Sequence, residues 1–193
     1  MNFKKLQAMQ AKLDEAILAD KAPMTAEERF NKTLVALNVE IAEVANTVEH
    51  FKFWKDNKGK IDGDRFIKTS GIINNVIEGD FLDNITAEYV TREQAHRLTL
   101  IEECSDALHF ILSLANQCED EIDVNSNWIA EEESLKEYYY INLQTTLFED
   151  SGVDGIMATF LDYVKSLGVT TQELEQAYYD KNKINYERLE NGY

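Results

Sequence analysis

Two pairs of acidic side chains stand three residues apart on predicted helices. Glu40 and Glu43 form the first pair, and Glu103 and Asp106 form the second. Residues at this spacing are neighbours on one face of an α-helix, so each pair presents two carboxylates to the same side. Four carboxylates around one small volume repel one another unless divalent cations lie between them. Because the ligands would all be oxygen atoms, this pattern favours Mg²⁺, or Mn²⁺, over Zn²⁺.

A solvated helix face is the ordinary alternative, because the chain contains 36 acidic residues. For Glu40 and Glu43 alone, that alternative is the stronger one. Glu103 and Asp106 differ, since they interrupt an apolar helix in which an unpaired carboxylate is costly to bury. Only the combination of the two pairs predicts a divalent-cation site.

Two carboxylate–histidine pairs allow a different metal interpretation. Glu93 and His96, like Asp106 and His109, have the spacing found in di-iron helical bundles. Those bundles also need single glutamates on two further helices, whereas here two glutamates stand on one helix. The di-iron interpretation is therefore the weaker one.

Basic side chains provide candidate phosphate contacts. The run at 51–55 places two lysines among three aromatic residues, which suits either base stacking or the packing of a helix end. Near the C-terminus, Lys181, Asn185 and Arg188 continue a stripe that starts at Tyr178 on one helix face. This stripe could hold phosphates, although basic residues near a helix C-terminus also complement its dipole. With no phosphate-binding glycine loop and no nucleophile-elbow motif, a metal-activated water is the chemistry that these residues support.

Composition and charge exclude several classes of partner. Nineteen basic against 36 acidic residues give a net charge of −17, which repels nucleic-acid backbones, so we expect no nucleic-acid partner. No apolar run approaches the roughly 20 residues that cross a bilayer, so we expect no membrane partner. The N-terminus lacks a signal-peptide pattern, and Cys104 and Cys118 fit buried thiols in a reducing compartment. We therefore expect a cytoplasmic protein.

Helical periodicity dominates the chain and predicts one all-α domain over residues 1–193. A single proline and eight glycines leave long stretches uninterrupted. Capping-box patterns, Thr25 with Glu28 and Thr170 with Glu173, mark the starts of two helices. The predicted helices cover about 6–19, 25–55, 91–118, 134–148, 153–167 and 170–191, with only weak helices in 64–90.

Four blocks, in this order along the chain, resemble the motifs of the all-α dimeric dUTPases, relatives of the MazG-type pyrophosphatases. Each block is short, but the ordered set is specific. The blocks are Met9-Gln10 with Leu13-Asp14, residues 37–46 with 51–55, residues 102–110, and residues 177–188 with 191–193.

This resemblance implies a helical bundle of the all-α nucleoside triphosphate pyrophosphatase type. It also implies Mg²⁺-dependent hydrolysis of dUTP to dUMP and pyrophosphate by a homodimer whose sites lie near the subunit contact. Attack is expected at the β-phosphorus. The implied metal-binding and catalytic residues are Glu40, Glu43, Glu103 and Asp106. Gln10 is the residue implied to contact uracil. The residues implied to line the base and sugar pocket are Trp54, His109 and Phe110. The residues implied to hold phosphates are Lys55, Lys181, Asn185 and Arg188.

The stretch between the acidic motifs departs from the family pattern. Residues 56–97 form a longer connection than the simplest members have, which suggests an inserted segment. Two alternatives to a strict dUTPase stay open at this point. One is a broader pyrophosphatase that accepts both dCTP and dUTP, and the other is a non-catalytic acidic protein-interaction module.

Overall fold

Six helices and three short strands make up the described part of the chain. The computed structural model describes residues 1–19, 21–69, 81–125, 135–149 and 151–192. The helices are α1 (Phe3–Ala19), α2 (Ala26–Val48), α3 (Arg92–Cys118), α4 (Lys136–Phe148), α5 (Gly152–Ser166) and α6 (Thr171–Glu190). The strands are β1 (Phe66–Lys68), β2 (Phe81–Asp83) and β3 (Tyr89–Val90). The expected all-α fold class is confirmed. Within the described ranges, no helix is long and apolar enough to cross a membrane.

Helix α3 is central, with contacts to α1, α2, α5 and α6. Its buried residues surround most of the helix, which allows several neighbours to pack on it. One hydrophobic core takes residues from all six helices, so α2, α3 and α6 are held in fixed relation. Cys104 is buried in this core, as predicted. The same prediction was wrong for Cys118, which is exposed because the last turn of α3 extends beyond the packed interior.

Capping boxes begin the helices that carry the candidate site. The predicted capping boxes at Thr25 and Thr170 are both present, and Thr91 forms a third with Gln94 at the start of α3. In each box, the threonine side chain accepts a hydrogen bond from a backbone N–H of the first turn. Local sequence therefore sets where these three helices begin.

The weak helices predicted for 64–90 were wrong where the structure describes this stretch. Strand β2 pairs antiparallel with both β1 and β3, and Phe66 lies opposite Asp83 in the register. Each strand is only two or three residues long and contains aromatic or branched apolar residues, which suit a sheet once a partner strand is present. Residues 70–80 of that prediction lie outside the described part of the chain.

Helix α2 ends at Val48 and not in the range 51–55 as predicted. Glu49 adopts a left-handed conformation (φ 56°), and its backbone N–H donates to the Ala45 carbonyl oxygen. The Glu49 carboxylate is buried and accepts hydrogen bonds from Lys52 Nζ at 2.7 Å, from Lys55 Nζ, and from Gly59 N at 3.0 Å. These contacts fold the following residues back on the helix end, so the chain turns there.

Replacing Glu49 by glutamine should lower the free energy of unfolding by about 1–3 kcal/mol, because it removes a charged acceptor from a set of hydrogen bonds. Urea denaturation would measure the change. Asp56→Asn is the matched control, since Asp56 is an exposed carboxylate in the same loop, and its effect should stay within about 0.5 kcal/mol. Equal effects of the two substitutions would contradict the role assigned to Glu49.

Candidate functional site

Three of the four predicted metal ligands come together between α2 and α3. Carboxylate oxygens of Glu40, Glu43 and Glu103 lie within 4.8 Å of one another. In α2, Ile41 and Val44 face the core and fix the rotation of the helix, which leaves the two glutamates at the edge of its contact with α3. In the part of the chain that the structure describes, this group contains no histidine, so the di-iron pattern is not formed around it.

Asp106, the fourth predicted ligand, is tied to a predicted phosphate-binding lysine. Its Oδ2 accepts a hydrogen bond from Lys181 Nζ at 2.8 Å, and the same Nζ donates to Glu102 Oε1 at 3.1 Å. The two acids raise the pKa of Lys181, although its burial acts in the opposite direction. Lys181 therefore remains charged and links α6 to the acidic face of α3.

Two carboxylates of the group, Glu40 and Glu103, resist ionisation in the cation-free protein. Burial raises the pKa of Glu40 to about 7, with added repulsion from Asp106 and Glu43. Burial likewise raises the pKa of Glu103 to about 7, with repulsion from Glu43, Asp106 and Glu40. A bound divalent cation would favour the ionised form of each group. The oxygen-only donors and this suppressed ionisation both fit a divalent-cation site.

A cleft of about 410 Å³ lies beside the carboxylate group, a volume in the range of small-molecule sites. Its lining combines the stripe on α6 with residues of α1, α2 and α3. Apolar side chains, including Leu13, Ile17 and Leu189, complete the lining. Among the predicted site residues, those in the lining are Gln10, Glu40, Asp106, His109, Phe110, Lys181, Asn185 and Arg188.

A buried hydrogen-bond network fixes the amide of Gln10 at the cleft. Gln10 Nε2 donates to Asp14 Oδ1 at 2.8 Å, and Gln10 Oε1 accepts from Tyr178 Oη at 3.1 Å. Ser113 Oγ at 2.7 Å and Arg29 Nη2 at 3.2 Å donate to Asp14 Oδ2. Burial raises the pKa of Asp14, and the bonds from Ser113 and Gln10 oppose that rise. With three donors around it, Asp14 acts as an acceptor and holds the amide nitrogen of Gln10 on its side.

His109 presents an unused acceptor among the cleft residues. Its Nδ1 lies 2.8 Å from the Ser105 carbonyl oxygen and must therefore carry the proton. The ring stacks on Tyr178, with 4.2 Å between centroids. Burial lowers the pKa of His109 to about 4, so the imidazole is neutral near pH 7. Its buried Nε2 has no hydrogen-bond partner among the described residues and can accept one from a ligand.

Trp54 and Lys55 lie apart from the cleft of their own chain. The Trp54 side chain is 66% exposed and contacts Phe51 and Phe53 edge to face. Lys55 Nζ is paired with Glu49. Neither residue is in the lining of the cleft, and their roles in base and phosphate binding stay predictions.

The cation-free protein should lose stability as the pH rises from about 5 to about 8. Glu40 and Glu103 have a folded-state pKa near 7 against an ordinary value of 4.5, so the folded protein binds more protons in this window. Stability then falls as these protons leave. After allowance for solvent screening, we expect a loss of about 2 kcal/mol, or roughly 4–8 °C in melting temperature.

Thermal unfolding in EDTA at several pH values would measure this loss. Glu103→Gln should flatten the profile relative to the wild type, which separates the carboxylate group from the general effect of a net charge of −17. Mg²⁺ added at the upper pH should restore the melting temperature of the wild type. Parallel profiles for the variant and the wild type would contradict the assignment.

A set of ion pairs beside the site was not predicted from the sequence. Arg65 contacts both Asp83 and Glu102, and Glu102 in turn contacts Lys181. Arg65 and Asp83 lie on either side of a long connection, and their spacing follows neither a helical nor a strand repeat. No signal in the sequence could have paired them.

Comparison with known families identifies the chain. A family model described as dUTPase matches residues 2–68 and 88–193 and leaves only 69–87 and the first residue unmatched. No curated protein matches the chain. The matched ranges contain α1, α2, α3 and α6, which supply the carboxylate group and the cleft. With its helical fold, the chain belongs to the all-α dUTPase family.

Proposed function

We propose that this dUTPase cleaves dUTP to dUMP and pyrophosphate at the cleft beside α2, α3 and α6, with Mg²⁺ held by its carboxylates. Membership of the family makes the chain a hydrolase of dUTP. The assignment of Mg²⁺ and of this cleft to the reaction rests on one observation. The oxygens of Glu40, Glu43 and Glu103 converge within 4.8 Å, and Glu40 also lines a cleft with the basic stripe of α6.

The carboxylates and the stripe have separate roles in this proposal. Mg²⁺, when bound, lowers the pKa of a water molecule and polarises phosphoryl oxygens. Glu40, which belongs to both the carboxylate group and the cleft, is assigned beside the attacking water. Lys181 exchanges its carboxylate partners for phosphate oxygens, which frees Asp106 to act as the fourth ligand. Asn185 and Arg188, further along the same helix face, extend the phosphate contacts.

Gln10 is the proposed uracil-reading residue. One amide proton is used by Asp14 and one lone pair by Tyr178, which leaves one donor and one acceptor for a ligand. Uracil presents an acceptor at O4 and a donor at N3, and this pair complements the two free positions. Cytosine presents the reverse pattern and would require the amide to turn its oxygen toward Asp14. The network therefore favours dUTP over dCTP.

A homodimer is part of the proposal. Val35 and Val39 on α2 are 65% and 49% exposed, and Phe53 and Trp54 in the following loop are 89% and 66% exposed. Apolar side chains of this size suit a contact with a second copy. Analytical ultracentrifugation would test it, with a species of twice 22.2 kDa expected and a monomer contradicting it.

Further expectations from the sequence remain proposals. We propose a single domain over residues 1–193, with an inserted segment within 56–97, which the unmatched residues 69–87 support. We also propose a cytoplasmic location and, because the net charge of −17 repels a phosphate backbone, no nucleic-acid partner.

Pyrophosphate release from dUTP, dCTP, dTTP and UTP, each with Mg²⁺ and with EDTA, tests the proposal. Mg²⁺-dependent release from dUTP alone is the expected result. Comparable release from dCTP would indicate the broader pyrophosphatase and contradict the role of the Gln10 network. Release that persists in EDTA would overturn the role of the carboxylates. An absence of release from every nucleotide would favour the acidic interaction module.

A further inference from the structure

We propose that Asp83, on β2, is a positioning residue that acts through Arg65 and Glu102 to hold Lys181 ready for the substrate phosphates. This inference rests on the phosphate-binding role given to Lys181 above. It assigns a function in the reaction to a strand that lies outside the helical bundle and contributes nothing to the lining of the cleft.

The contacts form a continuous chain of alternating charges. Arg65 Nε and Nη2 donate to the two oxygens of Asp83 at 3.2 and 2.9 Å. The remaining nitrogen, Arg65 Nη1, donates to Glu102 Oε2 at 3.2 Å. The other oxygen of Glu102 accepts from Lys181 Nζ at 3.1 Å, and Lys181 reaches Asp106 at 2.8 Å. Every member therefore contacts a neighbour of opposite charge.

Asp83 is the most deeply buried member of this set of ion pairs. Its side chain is 1% exposed, and Oδ1 also accepts a hydrogen bond from Ile85 N at 2.9 Å. Burial would raise the pKa of Asp83, but the hydrogen bonds from Arg65 and the backbone outweigh it and hold the pKa low. The Arg65 guanidinium also lies 4.8 Å from the Phe66 ring centroid. A buried, bidentate pair of this kind has few alternative geometries, so it fixes where Arg65 Nη1 meets Glu102.

Asp83 belongs to the segment 69–87 that the dUTPase family model does not match, whereas Arg65, Glu102 and Lys181 lie in matched ranges. The strand pairing of β1 with β2 places Asp83 opposite Phe66, next to Arg65 in sequence. This added segment thus supplies the last partner of a charge chain that ends at the proposed active site. Through Asp83, β2 thereby gains a role in the proposed reaction of this protein.

The charge balance indicates what the loss of Asp83 would do. Without its carboxylate, Arg65 would turn its free donors to Glu102, its only other charged partner in the chain of contacts. Glu102 would then hold Lys181 less strongly, and Lys181 would pair with Asp106 alone. With Glu102 no longer competing for it, Lys181 would hold more tightly to Asp106, which it already contacts at 2.8 Å, and would exchange that carboxylate less readily for the phosphates. Binding of the triphosphate should weaken.

The test compares Asp83→Asn with Arg65→Lys and with Glu88→Gln. Lysine at 65 keeps a cation beside Asp83, but it lacks the planar guanidinium that contacts Asp83 and Glu102 at once. Arg65→Lys therefore tests the same ion-pair connection if Asp83→Asn fails to fold. Glu88 is an exposed carboxylate near the end of β2 and serves as the matched control. Three quantities are measured for each protein: KM and kcat for dUTP, and the Kd of the non-hydrolysable α,β-imido analogue of dUTP by calorimetry with Mg²⁺.

We expect Asp83→Asn and Arg65→Lys each to raise KM and the Kd of the analogue by roughly 3- to 30-fold, with a smaller change in kcat. The control, Glu88→Gln, should leave KM and Kd unchanged. A lower melting temperature with unchanged KM and Kd would mean that Asp83 is only structural, and would overturn the inference. If the wild type binds the analogue but does not hydrolyse dUTP, the proposed catalysis fails while the Kd comparison still decides the role of Asp83. Failure of the wild type to bind the analogue would overturn both.

Discussion

Replacement of Glu40 by glutamine is expected to lower kcat/KM for dUTP by about 1000-fold or more, because loss of a cation ligand removes several kcal/mol of transition-state stabilisation. The same substitution should raise the melting temperature of the cation-free protein near neutral pH. It removes a charge that burial, Asp106 and Glu43 all disfavour. Activity and stability should therefore change in opposite directions.

Pyrophosphate release and thermal unfolding in EDTA would measure the two effects on the same preparations. Glu27→Gln is the matched control, since Glu27 is an exposed carboxylate in the first turn of the same helix. It should leave the activity unchanged and alter stability only slightly. Full activity in Glu40→Gln would remove Glu40 from the catalytic group. Loss of activity together with a lower melting temperature would indicate misfolding instead.

Replacement of Tyr178 by phenylalanine is expected to reduce the preference for dUTP over dCTP by about 10- to 100-fold. The ring would remain stacked on His109, but Gln10 Oε1 would lose the hydroxyl that it accepts from. The amide of Gln10 would then be held only by Asp14 and could turn more easily to match cytosine. Most of the loss of preference should come from faster dCTP turnover.

The ratio of kcat/KM values for the two nucleotides, measured in competition, would report this change. Tyr179→Phe is the matched control, because the Tyr179 hydroxyl donates to Glu175 at 2.8 Å, outside the network of Gln10. An unchanged ratio in Tyr178→Phe would mean that Gln10 does not read the base, or that Asp14 alone holds its orientation. Asp14→Asn would separate these two outcomes, because it removes the remaining constraint.

Local signals in the sequence were sufficient to predict a feature wherever that feature depends on neighbours within one or two helical turns. The capping boxes at Thr25 and Thr170 involve residues three apart, and both form as predicted. The stripe of Lys181, Asn185 and Arg188 follows the helical repeat, and all three residues line one cleft. In each case the helix itself brings the residues together, so periodicity alone was informative.

Features that depend on distant partners were not predictable in the same way. Strands β1, β2 and β3 are too short to show a period, and they are stable only because they pair with one another. The end of α2 depends on a buried Glu49 whose partners include the backbone of Gly59, ten residues away. The helical periodicity of the sequence continues past Val48, so it did not predict that α2 ends there.

Motif order and helical periodicity were enough to predict the family, the helical class and the residue types of the site. Spacing of three placed Glu40 beside Glu43, and Glu103 beside Asp106, on two helix faces. Only the packing of α2 against α3 decided that Glu40, Glu43 and Glu103 converge within 4.8 Å, while Asp106 pairs with Lys181. Likewise, only the tertiary structure connects Asp83 to the site through Arg65. The physical reason is that helical geometry fixes neighbours within a helix, whereas the relative position of two elements depends on the core that buries them both.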